Sequence, residues 1–284
     1  MTEAPPEIVA LARRRAEARA AKDFATSDAL RGEIASLGWV VKDTADGFTL
    51  TERPPYDVHE RVTDLPDRSG EPDTREATVS LIADGWPDDV RRAVDAITAH
   101  TTAHVLVLDA GIGFTHDAAE VLHLANDPGW AASRTALLRA DTARIHVALD
   151  PSIELTGDAL TPVVRAFDDP PVCAAGGWGV NASEDWREFH DGAPGTVDAI
   201  LGYLFAVRRA AGLATPPHPK ARFYRNADME WSYALRAATG GRCVMTEPLP
   251  ATRHRHRGYH DSDPEYRDRE SRKTYDRFLK TYRK

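Results

Sequence analysis

From Glu76 onward, short apolar runs alternate with amphipathic ones, and this alternation narrows the possible folds more than any other feature of the chain. The stretches "ATVSLIAD", "AHVLVLDA" and "ARIHVALD" read as buried strands. Between the first two lies "DDVRRAVDAITAHT", whose Val90, Ala93, Val94 and Ile97 share one helical face. Further helices are expected over roughly 116–124 and over "GDALTPVVRAF". Apolar strands separated by amphipathic helices imply an α/β fold, a mostly parallel sheet with helices on both faces. Ligands of such sheets gather beyond the carboxyl ends of the strands. Here those ends are Ala83-Asp84, Asp109 and Asp150, so three acids point to one crevice.

The 284 residues suit one large domain, or one domain with a small appendage. No run approaches the roughly 18 apolar residues that span a bilayer. The start, "MTEAPPEIVALARRR", lacks a basic region followed by an apolar core, so no signal peptide is expected. Cys173 and Cys243 have no metal-type spacing and are expected as reduced, buried thiols of a cytoplasmic bacterial protein. A net charge of -8 argues against a generic nucleic-acid binder, whose footprint is basic.

Three parts are expected. Residues 1–50 form a small helical module: Pro6 opens a helix lasting to about Lys22, and Thr26 or Ser27 caps a second, which Gly38 ends. "WVVKDTADGFTL" then alternates around Asp46-Gly47, a hairpin signal. Residues 51–75 carry four prolines and many charges and read as an exposed linker. Residues 76–284 form the main domain. With Arg19, Lys22-Asp23-Phe24-Ala25, Ser27-Asp28, Leu30-Arg31 and the ending Gly38…Asp43-Thr44…Gly47, the first part resembles the C-terminal end of bacterial cysteinyl-tRNA synthetases. That resemblance implies a tRNA-binding appendage. The alternative is a helical module used for packing or self-association.

The main domain lacks a G-x-G-x-x-G after its first strand, a Walker A sequence, a G-x-S-x-G elbow and an H-E-x-x-H. What remains is "HVALDPSIELTGDALTPVV": Asp150 closes a strand, and Thr156 or Asp158 can cap the next helix. "VSLIADGWPDDVRRAVDAI", "VLVLDAG", "AASRTALLRADTARIHVALDPSIELTGDAL" and "NADMEWSYALRAA" follow one another as in family 2 glycosyltransferases with the GT-A fold, which the chain resembles over about 76–260. The resemblance implies a transferase that takes a hexose from a nucleoside-diphosphate sugar. It assigns Asp109 to the nucleotide base, Ala83 and Asp84 to the backbone segment beside it, and Arg134 to the diphosphate. Asp150 takes the first position of the family's D-x-D motif and Asp228 that of the acceptor-deprotonating acid. The last D-x-D position is Ser152, which departs from the family. His254 and His256, one residue apart and so on one side of an extended segment, are candidates to complete a Mn²⁺ or Mg²⁺ site with Asp150. The alternative is a basic loop ending in Arg257 that binds diphosphate by charge alone.

"FYRNADMEWSYALRAA" places Asp228 and Glu230 at the mouth of a helix. Acids there stabilise a helix by about 0.3–1 kcal/mol through its dipole and need no further role. Set after the motifs above, Asp228 is the expected general base and Glu230 the second candidate. Trp178 and Trp231, with Trp186 and His190, are candidate acceptor contacts whose alternative role is packing. From Glu265 the chain has eight Lys/Arg against four acids, with Tyr275, Phe278, Leu279 and Tyr282 at helical spacing. That suits an amphipathic helix lying on the domain or on the inner face of a membrane. The combined expectation is an inverting glycosyltransferase whose acceptor is a glycan, a lipid-linked or a small molecule. The alternatives are a GT-A-shaped binding protein without turnover, and a tRNA-associated protein acting through residues 6–50.

Overall fold

The computed structural model describes residues 3–44, 47–186 and 188–283. They form two compact units, divided between Asp57 and Val58.

In the first unit, α1 (Pro6–Ala20) and α2 (Phe24–Ser36) precede an antiparallel pair, β1 (Trp39–Thr44) and β2 (Gly47–Glu52). Ile8, Ala12, Ile34, Trp39 and Val41 make its core. Arg15, only 4% exposed, reaches across that core and donates to both oxygens of Asp43 at 2.6 and 3.0 Å. The cap of α2 is Asp23, not Thr26 or Ser27: its carboxylate accepts the Thr26 amide at 3.1 Å. The expected Asp46-Gly47 turn falls partly on Asp46, outside the described residues; a hairpin does form there, but Thr44 stands opposite Gly47, so Gly47 opens the returning strand rather than completing the turn. Gly38 ends the helical part with φ +81°, a left-handed value that favours glycine.

The second unit contains β3 (Val58–His59), β4 (Arg75–Ala83), α3 (Pro87–His100), β5 (His104–Ala110), β6 (Glu120–Leu124), α4 (Trp130–Ala140), β7 (Ala143–Leu149), β8 (Ile153–Leu155) and α5 (Leu160–Arg165). There follow β9 (Val172–Gly176), β10 (Gly179–Ala182), β11 (Phe189–Asp191), β12 (Gly195–Val197), β13 (Ala199–Ile200), β14 (Leu204–Arg208) and α6 (Arg209–Ala214). The unit closes with α7 (Ala227–Thr239), β15 (Arg242–Met245), β16 (Ala251–Arg253), α8 (Arg257–His260) and α9 (Pro264–Tyr282). Nine strands share one sheet in the order β12-β15-β9-β14-β7-β4-β5-β6-β3. Only β14 and β12 run against the rest.

Strand alternation sends successive side chains to opposite faces. Val79 and Leu81 pack with Val90, Val94 and Ile97 of α3 on one face. Ile82, Leu106 and Leu108 meet Ala136 and Leu137 of α4 on the other. Trp231 and Leu235 of α7 cover Ala174 and Phe205 further along. This is the mixed, mostly parallel sheet clothed on both faces that the alternation predicts.

Two local expectations need correction. Residues 120–124, expected within a helix, are β6, wedged between β5 and β3; a five-residue apolar run is too short for its period to separate strand from helix. The stretch 51–75, expected as an exposed linker, is part of the folded chain from Val58 onward. There β3 extends the sheet, Leu65 is buried, and Arg68 bonds Glu120 at 3.0 Å and the Ala140 carbonyl at 3.1 Å. Many prolines and charges therefore mark an edge here rather than free chain. The C-terminal helix α9 buries Phe278 completely, in a cluster with Val180, Met229 and Tyr233. Its apolar stripe is spent on the domain. No described helix is long and apolar enough to cross a membrane.

Candidate active site

β7 ends at Leu149, and the chain turns sharply. The Asp150 carbonyl accepts the Ile153 amide at 3.0 Å, and its carboxylate accepts the Ser152 amide at 2.8 Å. β8 then pairs antiparallel with β16, Ile153 opposite Arg253, and the Ser152 carbonyl accepts the His254 amide. That pairing carries the next residues back over the strand end, so His256 Nε2 lies 2.9 Å from Asp150 Oδ2. The approach is too far off line for a regular hydrogen bond, and Nε2 is buried without one. Nδ1 of the same ring accepts the Tyr259 amide at 3.1 Å and caps α8. With the ring so oriented, a neutral imidazole carries its proton on Nε2, facing Asp150. Tyr224 stacks on the other side of the imidazole, centroids 4.3 Å apart.

Asp228 arrives from a different element, the first turn of α7. Its Oδ2 accepts the Gly202 amide at 2.7 Å and its Oδ1 the Met229 amide at 2.8 Å. A Cβ on residue 202 would stand 3.3 Å from that Oδ2, so glycine lets the loop close on the carboxylate. Asp150, Asp228, His256 and Tyr224 line one hollow of about 430 Å³. A second hollow of about 200 Å³ shares Asp150, Tyr224 and His256 and adds Asp84, Trp86, Asp127, Arg134, Ser152, Arg222 and Arg257.

The electrostatics separate the acids. Burial pushes Asp228 up to about 6, with nearby Asp150 adding to the rise and the backbone amides opposing it. Burial acts the same way on Asp150, but the His256 imidazole and the Ser152 amide outweigh it and hold Asp150 below its usual range. Surrounding atoms, then the carboxylates of Asp127 and Asp150, push Asp84 up to about 6, while its open side still meets solvent and tempers the effect. Two carboxyls with opposite shifts in one hollow are the pattern of a site that divides proton work between them.

Several sequence-predicted site residues lie elsewhere. Asp109 is 2% exposed and lines neither hollow; it accepts the Ile112 and Gly113 amides and pairs with His123 at 3.0 Å, holding its own loop. Ala83 is fully buried beside it in the sheet. Arg134 does border the second hollow, but its two Nη donors serve the Ser80 and Leu149 carbonyls, and burial lowers it to about 10. It offers charge beneath Asp84 and Asp150 rather than a free fork.

His254 turns to Glu154 at 2.6 Å, away from His256, because β16 keeps its strand alternation only as far as Arg253. Glu230 is locked by Arg277 of α9, with both contacts at 2.6 Å. Trp231 stacks on Phe205 at 4.7 Å and donates to the Thr215 carbonyl. Trp178 packs edge-on behind Tyr203, and Trp186 packs against Tyr233 and Phe278. His190 is exposed beside Glu188. None of these six lines either hollow.

Conversely, Trp86, Tyr224, Arg222 and Arg225 stand at the hollows without having been singled out as contacts. Trp86 was legible in "DGWPDD": an aromatic between Gly85 and Pro87 directly after a strand end. It holds a left-handed φ of 47°, unusual for a bulky residue, with the Arg257 guanidinium 5.5 Å over its ring.

A buried Ser80–His146–Asp141 chain, with contacts of 2.9 and 2.8 Å, has the residue types of a hydrolytic triad. All three members are at most 2% exposed and line neither hollow, so they brace β4 against β7 instead.

An oxygen-ligated divalent ion finds a partial seat. Asp150 and Ser152 Oγ, which is buried and has no hydrogen-bond partner, offer oxygens. No three His, Cys, Asp or Glu among the described residues are grouped to enclose an ion. Mg²⁺ and similar ions are often held by one or two carboxylates with substrate phosphates completing the shell, and that arrangement fits here. His254 is taken up by Glu154, whereas His256 Nε2, buried without a hydrogen-bond partner, stands beside the seat 2.9 Å from Asp150 Oδ2.

Sheet order, the reversed β14 and the hollow beyond the strand ends define the second unit as a GT-A fold, the architecture of nucleotide-sugar glycosyltransferases. Among solved structures, it is similar to GalNAc-T7 with UDP, GalNAc and Mn²⁺, at a TM-score of 0.54 and 16% identity, over 72% of this chain and 48% of that one. It is also similar to glucosyl-3-phosphoglycerate synthase from Mycobacterium tuberculosis in complex with Mn²⁺, UDP and glucosyl-3-phosphoglycerate, at a TM-score of 0.51 and 14% identity, over 81% of this chain and 85% of that one.

Residues 1–49 match the cysteinyl-tRNA ligase anticodon binding domain. Over 48 residues the chain is 56% identical to the cysteine–tRNA ligase of Opitutus terrae, and over 45 residues 53% identical to that of Methanosarcina mazei. These matches take in 17% and 16% of this chain and about a tenth of each ligase.

Proposed function

We propose that the second unit is an inverting glycosyltransferase, family 2-like, moving a hexose from a nucleoside-diphosphate sugar to a hydroxyl. The observation that carries this reading is the meeting of Asp150 and Asp228, from separate elements, on one hollow beyond the strand ends. The smaller hollow suits the donor: Trp86 offers a face for the base, while Arg222, Arg257 and the charge of Arg134 surround the diphosphate. A divalent ion, Mn²⁺ or Mg²⁺, bound at Asp150 would offset the charge of the leaving diphosphate.

Asp228 faces the acceptor. With its proton affinity raised to about 6, it is ionised at neutral pH yet basic enough to take a hydroxyl proton as the oxygen attacks the anomeric carbon. A single displacement inverts that carbon. The test is a panel of UDP- and GDP-hexoses with released nucleotide as readout. Asp228→Asn is expected to lower kcat by about 10²–10⁴ while nucleoside-diphosphate affinity stays within about threefold. Undiminished turnover in that variant removes Asp228 from the mechanism.

A second reading concerns the first unit alone and rests on its match to an anticodon-binding domain. It would contact tRNA through charge, giving binding that weakens steeply as salt rises. Binding that is absent, or indifferent to salt, sinks it.

A further inference from the structure

Among the described residues, one arginine lining the acceptor hollow has no ion-pair partner. Arg225 lies three residues before Asp228, its guanidinium carbon 5.0 Å from the Tyr259 ring centre and its Nη1 bonded to the Tyr259 hydroxyl. No described carboxylate stands within 4.0 Å of its guanidinium. Its neighbours differ. Arg267, 4.6 Å from the same ring, is paired with Asp268 at 2.8 Å, and Arg257 lies 3.5 Å from Asp261.

Arg225 is therefore held against an aromatic face, exposed at the hollow, with Nη1 on the Tyr259 hydroxyl as its one side-chain hydrogen bond among the described residues and Asp268 acting on it only from beyond 4.0 Å. A guanidinium matches a carboxylate or phosphate with two parallel bonds, and holding it beforehand lowers the ordering cost of binding. The hollow's floor, in contrast, carries two carboxylates, Asp150 and Asp228. A neutral acceptor needs no counter-charge to enter. An anionic one would be repelled by that floor unless a cation met it at the mouth, and Arg225 stands there.

Resting on the transferase reading, we propose that the acceptor is an anionic hydroxyl compound whose carboxylate or phosphate is gripped by Arg225 while its hydroxyl faces Asp228. In the transfer, the hydroxyl oxygen bonds to the anomeric carbon and its proton passes to the Asp228 carboxylate. The bond from that carbon to the diphosphate breaks, and its electron pair leaves with the diphosphate.

The test uses the full chain and whichever donor of the hexose panel is cleaved, with glucose, glucuronate and glucose 6-phosphate as matched acceptors. Transferred product is read by mass and released nucleotide by coupled assay. The expected result is a kcat/KM for one or both charged acceptors at least about tenfold above glucose. Arg225→Gln should bring the charged acceptors down to the level of glucose, mainly through KM, with an unchanged melting temperature, and Arg225→Lys should keep part of the preference as a point charge. The glucuronate and glucose 6-phosphate arms tell a carboxylate from a phosphate. Equal use of glucose, or a preference that survives Arg225→Gln, overturns the anionic acceptor and leaves the transferase reading standing. No nucleotide release from any donor with any acceptor overturns both.

Discussion

Asp228 sits 8% exposed with one of its oxygens on a loop amide and the other on the amide of its own helix, yet its proton affinity rises. Burial favours the neutral acid more strongly than two amide donors favour the anion. The folded state therefore prefers the protonated form, and stability attached to this group grows as pH falls from above 6 toward the unfolded value near 4. At pH 8 the buried charge costs on the order of 3 kcal/mol, the free energy that separates a carboxyl titrating near 4 from one titrating near 6. Urea unfolding should find Asp228→Asn more stable than the parent at pH 8, by about 1–3 kcal/mol, and level with it at pH 4. Turnover should move the opposite way, climbing as pH rises through about 6, because the base must be ionised. A variant that is both more stable and inactive separates a catalytic carboxylate from a helix-end one; a variant that is less stable at pH 8 contradicts the burial argument.

Helix α7 presents Asp228, and it is fixed from behind by α9 through the Glu230–Arg277 pair. Removing one member of a buried pair strands the other, at about 3–5 kcal/mol. Glu230→Gln should thus lower stability by roughly 3 kcal/mol in chemical unfolding while still turning over donor at a temperature where it is folded. Loss of turnover in a folded Glu230→Gln protein would count against its purely structural role.

The helix-mouth pattern "NADMEW" shows why the sequence was only half legible here. Two acids two residues apart on a helix point in different directions, and which one meets the cleft depends on the position of α9, which no local spacing encodes. The same holds for Asp109, a strand-end acid like Asp150. Its loop folds back on it, so the carboxylate serves Ile112 and Gly113, whereas the β8–β16 hairpin brings His256 to Asp150 from a hundred residues away. The unbroken apolar runs of β4, β5 and β7 and the one-sided helical face of α3 were legible without help, because strands buried on both faces read as continuous apolar stretches. The five residues of β6 were not. In the first unit, capping was the weak point: Asp23→Ala should speed amide exchange along 24–36, whereas Ser27→Ala should leave those amides unchanged as far as capping is concerned.

At the scale of the whole molecule, two units with separate cores carry two unrelated likenesses, one to a segment of cysteine–tRNA ligases and one to the GT-A fold. Each core closes within its own unit, so a chain lacking residues 1–57 should bind nucleoside diphosphate within about threefold of the full chain. A larger loss would assign part of donor binding to the first unit. The decisive measurement is calorimetric titration of UDP and GDP into the full chain and into Asp150→Ala, each with Mn²⁺ and with chelator. The account predicts that at least one nucleotide binds, that Mn²⁺ tightens it by on the order of tenfold, and that the variant loses the tightening. Absence of binding by both nucleotides, or identical binding by the variant, would contradict it.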